Sequence, residues 1–227
     1  KRKILMKNNK IFVVFLALFI PFIILMGGVR LIMNPAFAEF EYDRAGFPLD
    51  PYGMDTIERK QWAGYAIRYL TNSEPIDYLG TLQNFQGEKI FTESELSHMV
   101  DVKEVVQRSL LAWYIVMGLS VAIFGWFLIM GQWSSLRQAF QAGGWVTLGL
   151  IGALLIFMLV SFDTLFERFH QLFFAEGTWL FDESSTLIRL FPFVFWRDAF
   201  ALVLIFALVV GILLVVITHK RKPKTVA

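Results

Sequence analysis

Four uninterrupted apolar blocks, at residues 11–33, 110–130, 143–162 and 199–217, decide what this chain can be. Each holds about 20 residues, the length a helix rising about 1.5 Å per residue needs to cross a hydrocarbon layer roughly 30 Å thick. Inside that layer backbone polar groups find no water, so a crossing segment satisfies them internally as a helix. The only formal charge in any block is Arg30, near the end of the first, where its long side chain can snorkel to the interface. Composition agrees: 56% of the 227 residues are hydrophobic and 18% charged, against about a quarter charged in an average soluble chain. A soluble globule is excluded. A net charge of +2, with basic residues gathered at the two ends, leaves no face for nucleic acid. The absence of cysteine removes disulfide staples, thiolate metal ligands and a cysteine acyl-enzyme.

The flanks orient the spans. Residues 1–10 carry Lys1, Arg2, Lys3, Lys7 and Lys10, the tail 218–227 carries Lys220, Arg221, Lys222 and Lys224, and neither holds an acid. The connection 131–142 adds Arg137, whereas residues 34–109 hold thirteen acids against seven bases and residues 163–198 six against three. The bias of lysine and arginine toward the cytoplasm predicts a multi-pass protein of the cell membrane with both termini cytoplasmic and these two segments outside. Ala36-Phe37-Ala38 before Glu39 also resembles a secretory cleavage site. The apolar run before it, at about 23 residues, is longer than a signal core, and we read it as a retained anchor. Residues 39–109 fall outside in either case.

The larger outer segment opens with Pro35, Pro48 and Pro51 among Phe37, Phe40, Tyr42, Phe47 and Tyr52, a turn-rich and strand-like stretch. From Thr56 the pattern turns helical, with Ile57, Trp62, Tyr65, Ala66 and Tyr69 in one apolar stripe. Short strands are expected over 78–82 and 89–91. Thr92-Glu93-Ser94-Glu95 reads as a capping box that starts a helix over 93–108. The expected architecture is an α-helical integral membrane protein, four transmembrane helices with a small mixed α+β extracellular cap.

Twelve of the 39 residues in 162–200 are Phe or Trp. Interfacial anchoring accounts for part of that density. The mixture asks for more: His170 stands among Phe166, Phe173 and Phe174 at helical spacing, with Asp163, Glu167 and Arg168 nearby. Of the three histidines, His219 sits in the basic tail and reads as solvated, while His98 and His170 fall in the two outer segments, which can meet at the membrane surface. Asp101, three residues after His98, shares its helical face and is placed to orient its ring. No serine elbow, phosphate loop or His-Glu-x-x-His helix is present. Two histidines with Asp101, Asp163, Glu167 or Asp182 would suffice for zinc, but no spacing demands it, and we expect neither metal nor cofactor. Three readings stand at this point: an enzyme at the outer interface, a metal-dependent lipid or lipoprotein hydrolase, and a non-enzymatic membrane protein whose cap docks a partner.

Glu95-Leu96-Ser97-His98-Met99-Val100-Asp101-Val102-Lys103, followed by a span and then by Phe169-His170-Gln171-Leu172-Phe173-Phe174, Gly177-Thr178-Trp179-Leu180-Phe181-Asp182 and Leu190-Phe191-Pro192, resembles the lipoprotein intramolecular transacylase (Lit) family. The likeness covers the whole four-span plan. It implies an acyltransferase of Gram-positive bacterial membranes acting on a diacylated lipoprotein, with membrane lipid as surroundings. The acyl chain would pass from the sn-2 glyceryl oxygen to the α-amine of the N-terminal cysteine, giving a lyso-form lipoprotein. It also implies two catalytic histidines, which His98 and His170 match. Around them, Asp101, Trp179, Asp182 and Arg189 are candidates to orient or position substrate, and Phe166, Phe173 and Phe174 to contact its lipid. Because amine and ester belong to one molecule, no acyl-enzyme is required, in keeping with the missing cysteine and serine elbow.

Overall fold

The computed structural model describes residues 2–219, with side chains from Lys10 onward. Lys1 and the tail bases Lys220, Arg221, Lys222 and Lys224 lie outside the described residues, as do the side chains of Arg2, Lys3 and Lys7. The described chain is all-helical: α1 (Arg2–Ile32), α2 (Pro35–Asp43), α3 (Thr56–Thr71), α4 (Asp77–Gly80), α5 (Glu93–Ile129), α6 (Trp133–Val160), α7 (Phe162–Phe173), α8 (Thr186–Leu190) and α9 (Phe193–Thr218). Four stretches are long and apolar enough to cross a membrane, Lys10–Ile32, α5, α6 and α9. The chain divides into two compact units, one taking residues through Gly28, Ala112–Ile156 and Leu202 onward, the other Val29–Leu111 and Phe157–Ala201.

The first unit packs parts of α1, α5, α6 and α9 around Leu16, Ile20, Phe127, Ala139, Ile151 and Leu204, all buried. Lipid tails are as apolar as leucine, so helices in a bilayer associate through close packing, which small residues permit. Gly143 and Gly144 of α6 supply it. A Cβ at 143 would stand 2.5 Å from Ile20 Cδ1, and one at 144 would stand 2.9 Å from Val215 Cγ2 and 3.2 Å from the Gly211 carbonyl oxygen. The Trp113 indole N–H adds a bond to the Ile23 carbonyl at 3.1 Å.

The second unit departs from the expected mixed cap, because no strand occurs among the described residues. The proline-rich start forms α2, where the Asn34 side chain accepts from Phe37 N–H and Pro35 occupies the first turn, in which a missing N–H costs nothing. Residues 78–82 fall mostly in α4, and 89–91 yield only the isolated bridge between Gln83 and Lys89. Aromatic and β-branched content suggested strands, but residues 78–80 are taken up in α4, and what is left meets only in a tight turn, with Ile90 N–H on the Leu82 carbonyl at 3.1 Å beside that one bridge. The helix over 93–108 and the second span are one element, α5, unbroken for 37 residues. Residues 133–142, read as a connection, are helical.

The core of this unit gathers Ala38 and Tyr42 from α2, Trp62, Ala63, Ala66 and Tyr69 from α3, Leu79 from α4, Leu96 and Met99 from α5, and Leu187 and Leu190 from α8. The short α8 is held at both ends. Its terminal carbonyls, left without helical partners, accept from α2 and α3: Leu190 from the Tyr42 hydroxyl at 2.8 Å, Arg189 from Arg59 Nε and Nη2 at 2.8 and 2.6 Å. Burial pushes the Tyr42 pKa up, against the opposing pull of Arg59, and keeps the phenol a neutral donor. At the other end the capping box at the start of α5 does double duty. Glu95 Oε2 accepts from Thr92 N–H at 2.8 Å and from its hydroxyl at 2.9 Å, while Oε1 accepts from Leu187 N–H at 2.8 Å.

Two outcomes follow for stability. Glu95→Ala strips the partner from the buried Leu187 N–H, which costs about 1–3 kcal/mol when orphaned, and removes the cap bond of the more exposed Thr92 N–H, so thermal unfolding in detergent should show a loss of at least about 1 kcal/mol. Gly143→Leu should lower the melting temperature through overpacking of about 1–3 kcal/mol against Ile20; an unchanged melting temperature would show that α6 does not need the close approach.

Candidate functional site

His98 lies one turn after Glu95 on α5 and is 9% exposed. Its ring meets the edges of two aromatics, Phe174 with centroids 5.1 Å apart and Phe181 at 5.4 Å, both T-shaped. His170 occupies the last turn of α7, where its Nδ1 is 2.8 Å from the Phe166 carbonyl. A carbonyl can only accept, so Nδ1 carries the proton and Nε2 is left with the free lone pair. Its ring is surrounded by Phe166 at 4.2 Å, Trp179 at 4.9 Å, and Phe169 and Phe174 at 5.7 Å each. Phe174 therefore touches both imidazoles. The two histidines converge on one aromatic cluster within the second unit.

Local sequence explains the placement. Ser161 caps α7 by accepting from Thr164 N–H, and the α7 pattern puts Phe162, Phe166, Phe169, His170 and Phe173 along one side. Phe174 ends the helix, its N–H bonded to the His170 carbonyl at 2.8 Å. The chain then reverses: Thr178 N–H bonds the Ala175 carbonyl at 3.3 Å with Gly177 at φ 83°, the left-handed third position of a type II turn. That turn returns Trp179 to the face of His170 and Phe181 to His98.

Electrostatics follow from the walls. Burial, with the neighbouring His170 as a second cause, pushes the His98 pKa down to about 4. Burial also lowers His170, opposed by the Phe166 carbonyl, which favours a protonated ring. Both imidazoles are neutral near pH 7, and a charge on one disfavours a charge on the other. Two buried polar atoms here have no partner, His98 Nδ1 and Trp179 Nε1.

The remaining expected residues separate into roles. No hydrogen bond joins Asp101 to His98, whose ring packs against Phe174 and Phe181. Asp182 is exposed, and its carbonyl accepts from Ser185 N–H and hydroxyl. Arg189 pairs with Asp50 at 3.0 Å and lies over the Tyr52 ring. Phe166 and Phe174 line the imidazoles, whereas Phe173 turns outward, 43% exposed, against Phe169. His219 is exposed. Among the described residues no group of three or more His, Asp or Glu side chains is placed to hold a metal ion. Phe181 was not among the expected site residues although its motif was noted; its contact with His98 depends on the turn at Gly177, which no periodicity reveals.

An all-helical, multi-pass integral membrane protein with two neutral imidazoles in an aromatic pocket is the class these features define. The chain belongs to the family described as "Lipoprotein intramolecular transacylase Lit", whose model matches residues 14–196; this is a family of enzymes that act on lipoproteins. A relative from Aquifex aeolicus, described as an uncharacterized protein, is 29% identical over 210 residues, 90% of this chain and 92% of that one. The fold is shared with the membrane integral lipoprotein intramolecular transacylase Lit from Bacillus cereus, at 20% identity and TM-score 0.71 over 93% of this chain and 94% of that one. Structures of that protein with a histidine replaced by arginine or by alanine superpose with TM-score 0.73, at 20% and 19% identity, over 95% and 96% of this chain and 92% and 96% of theirs.

The buried imidazoles make stability depend on pH. An unfolded histidine titrates near about 6.5, so below that pH the unfolded chain takes up protons that the folded site refuses, and stability declines as pH falls from about 6.5 toward 4. The melting temperature in detergent should be lower at pH 5 than at pH 7.5, with a smaller difference in His98→Gln; equal differences in both proteins would contradict the burial of His98 as the cause.

Proposed function

We propose that the protein catalyses intramolecular O-to-N acyl transfer on diacylglyceryl-modified lipoproteins, moving the sn-2 acyl chain to the α-amine of the N-terminal cysteine and leaving a lyso-form lipoprotein. Family membership supports the class of reaction. The observation that carries the finer reading is the convergence of two neutral histidines on Phe174, one of them with its tautomer fixed by a main-chain carbonyl.

Aminolysis of an ester needs a base for the amine proton, a donor for the developing oxyanion and a proton for the departing alkoxide. His170 acts as the base. The neutral amine nitrogen attacks the ester carbonyl carbon, and Nε2 of His170 takes the amine proton. As the bond from carbon to the glyceryl oxygen breaks, the imidazolium returns that proton to the leaving oxygen, so the enzyme ends as it began. The Phe166 carbonyl holds the ring in the productive tautomer and steadies the transient charge, much as a carboxylate does behind a catalytic imidazole. His98, harder to protonate, serves as a neutral hydrogen-bond donor to the substrate oxygens. Holding amine and ester in one ring-like arrangement supplies the larger share of the rate, since well-oriented intramolecular reactions gain about 7–11 kcal/mol. The aromatic walls keep out the water that would otherwise hydrolyse the ester.

The exposed apolar residues of α7 and the following loop, Phe169, Leu172, Phe173 and Leu180, offer a surface for acyl chains. The basic flanks support a topology in which both termini are cytoplasmic and residues 34–109 and 163–198 lie outside, where lipoproteins are anchored.

Expression in a bacterium lacking the activity, followed by mass spectrometry of lipoprotein N-termini, tests the reading. The wild-type chain should yield N-acylated lyso-form product, and His98→Ala or His170→Ala should yield none while still inserting. His98→Gln, which keeps a neutral donor, should retain measurable product where His170→Gln does not. Full product from both alanine variants would remove the histidines from the mechanism.

A further inference from the structure

Among the described residues four buried side-chain polar atoms lack a hydrogen-bond partner, and two of them, His98 Nδ1 and Trp179 Nε1, lie in the histidine cluster. Leaving a buried donor unpaired costs about 1–3 kcal/mol, and such groups are uncommon enough in native structures to ask for a reason. An indole nitrogen only donates. It cannot be quieted by a change of tautomer, as an imidazole can, so the Trp179 N–H waits for an acceptor that the folded chain does not provide.

The neighbouring ring says where that acceptor belongs. Trp179 lies 4.9 Å from His170 with only 31° between the ring planes. The two rings are in contact and tilted with respect to one another, and the indole N–H and the Nε2 lone pair each lie in the plane of their own ring. In the tetrahedral intermediate of ester aminolysis the nitrogen losing its proton and the oxygen gaining charge are bonded to one carbon. A base and a donor serving those two atoms must therefore be close neighbours on one side of the substrate, as these rings are. We propose that the Trp179 indole N–H is the oxyanion donor of the reaction, bonding the former ester carbonyl oxygen as it becomes negative. The acceptor is thus an acyl ester oxygen. The indole transfers no proton, and the bond loosens when the carbonyl re-forms as the amide. His98 is left to donate to the departing glyceryl oxygen, so each of the two orphaned ring nitrogens faces one substrate oxygen.

This inference rests on the acyl-transfer reading above, and its test separates the two. Purified enzyme in detergent is given a synthetic diacylglyceryl lipopeptide, and conversion to the N-acyl form is followed by mass spectrometry at saturating and limiting substrate. Trp179→Phe keeps an aromatic face on His170 and removes the donor; replacing Trp179 with benzothienylalanine keeps the indole shape and removes only the N–H. Both should lose about 100-fold in kcat, the scale of a missing oxyanion donor, with KM changed by no more than about twofold. The isostere should not melt below the wild type, because it keeps the ring volume and no native hydrogen bond is lost; the Phe variant gives up packed volume, and should it fold poorly, the isostere decides. A wild-type kcat in the isostere, or a loss confined to KM, overturns the inference while an inactive His170→Ala leaves the acyl-transfer reading standing. Activity in both histidine-to-alanine variants overturns that reading and the inference with it.

Discussion

The second unit depends on a buried carboxylate. Glu95 has no exposed surface and satisfies three donors, two from Thr92 and one from Leu187, 92 residues away. The first two start α5 at a defined residue and so fix the rotation of His98 one turn later. The third anchors α8, whose own N-cap Ser185 makes no side-chain capping bond. The segment carrying Trp179 and Phe181 is thus tied at one end to α7 and at the other to the same carboxylate that registers His98. Arg59 and Tyr42 secure the far end of α8. The histidine cluster is built on helices and a tethered turn, which restricts the motion its spacing can undergo.

An apolar surrounding does two things to a pair of imidazoles. It keeps both neutral in the pH range where an amine must be deprotonated, and it makes the first protonation oppose the second. Two chemically identical side chains are nevertheless held differently, one with its Nδ1 on a carbonyl and one with its Nδ1 unpaired. The aromatic density of 162–200 that seemed excessive for anchoring supplies these walls. Phe166, Phe174, Trp179 and Phe181 each lie against an imidazole.

What could be read from the chain in advance divides along the range of the interactions. Spanning helices announce themselves, because about 20 apolar residues in a row leave the backbone no other solution. The Thr92 to Glu95 capping box was equally plain, being complete within four residues. Its third bond, to Leu187, was not, since no local pattern marks a partner 92 residues away. The two strands expected near Tyr78 and Lys89 failed for a related reason. β-propensity measures fit to a pleated surface, and here α4 takes up most of the first segment and leaves a single bridge, from Gln83 to Lys89, where a ladder would be needed. His98 and His170 could be sorted from His219 by topology alone, but the partner of each ring could not. Asp101 sits at the right spacing on the helix, yet the contact that holds His98 comes from Phe174 and Phe181 across the fold.

Phe174 ends α7 through its N–H bond to the His170 carbonyl and also touches both imidazoles. Helix termination and active-group spacing are therefore one geometric quantity. Each residue added to or removed from α7 turns everything after it by about 100° and shifts it by about 1.5 Å. A single-residue insertion between Ser161 and His170 would leave the helix intact by every measure of helicity while turning His170 and Phe174 together away from His98. The length of α7 is therefore as much a part of the cluster as the identity of the residues it carries.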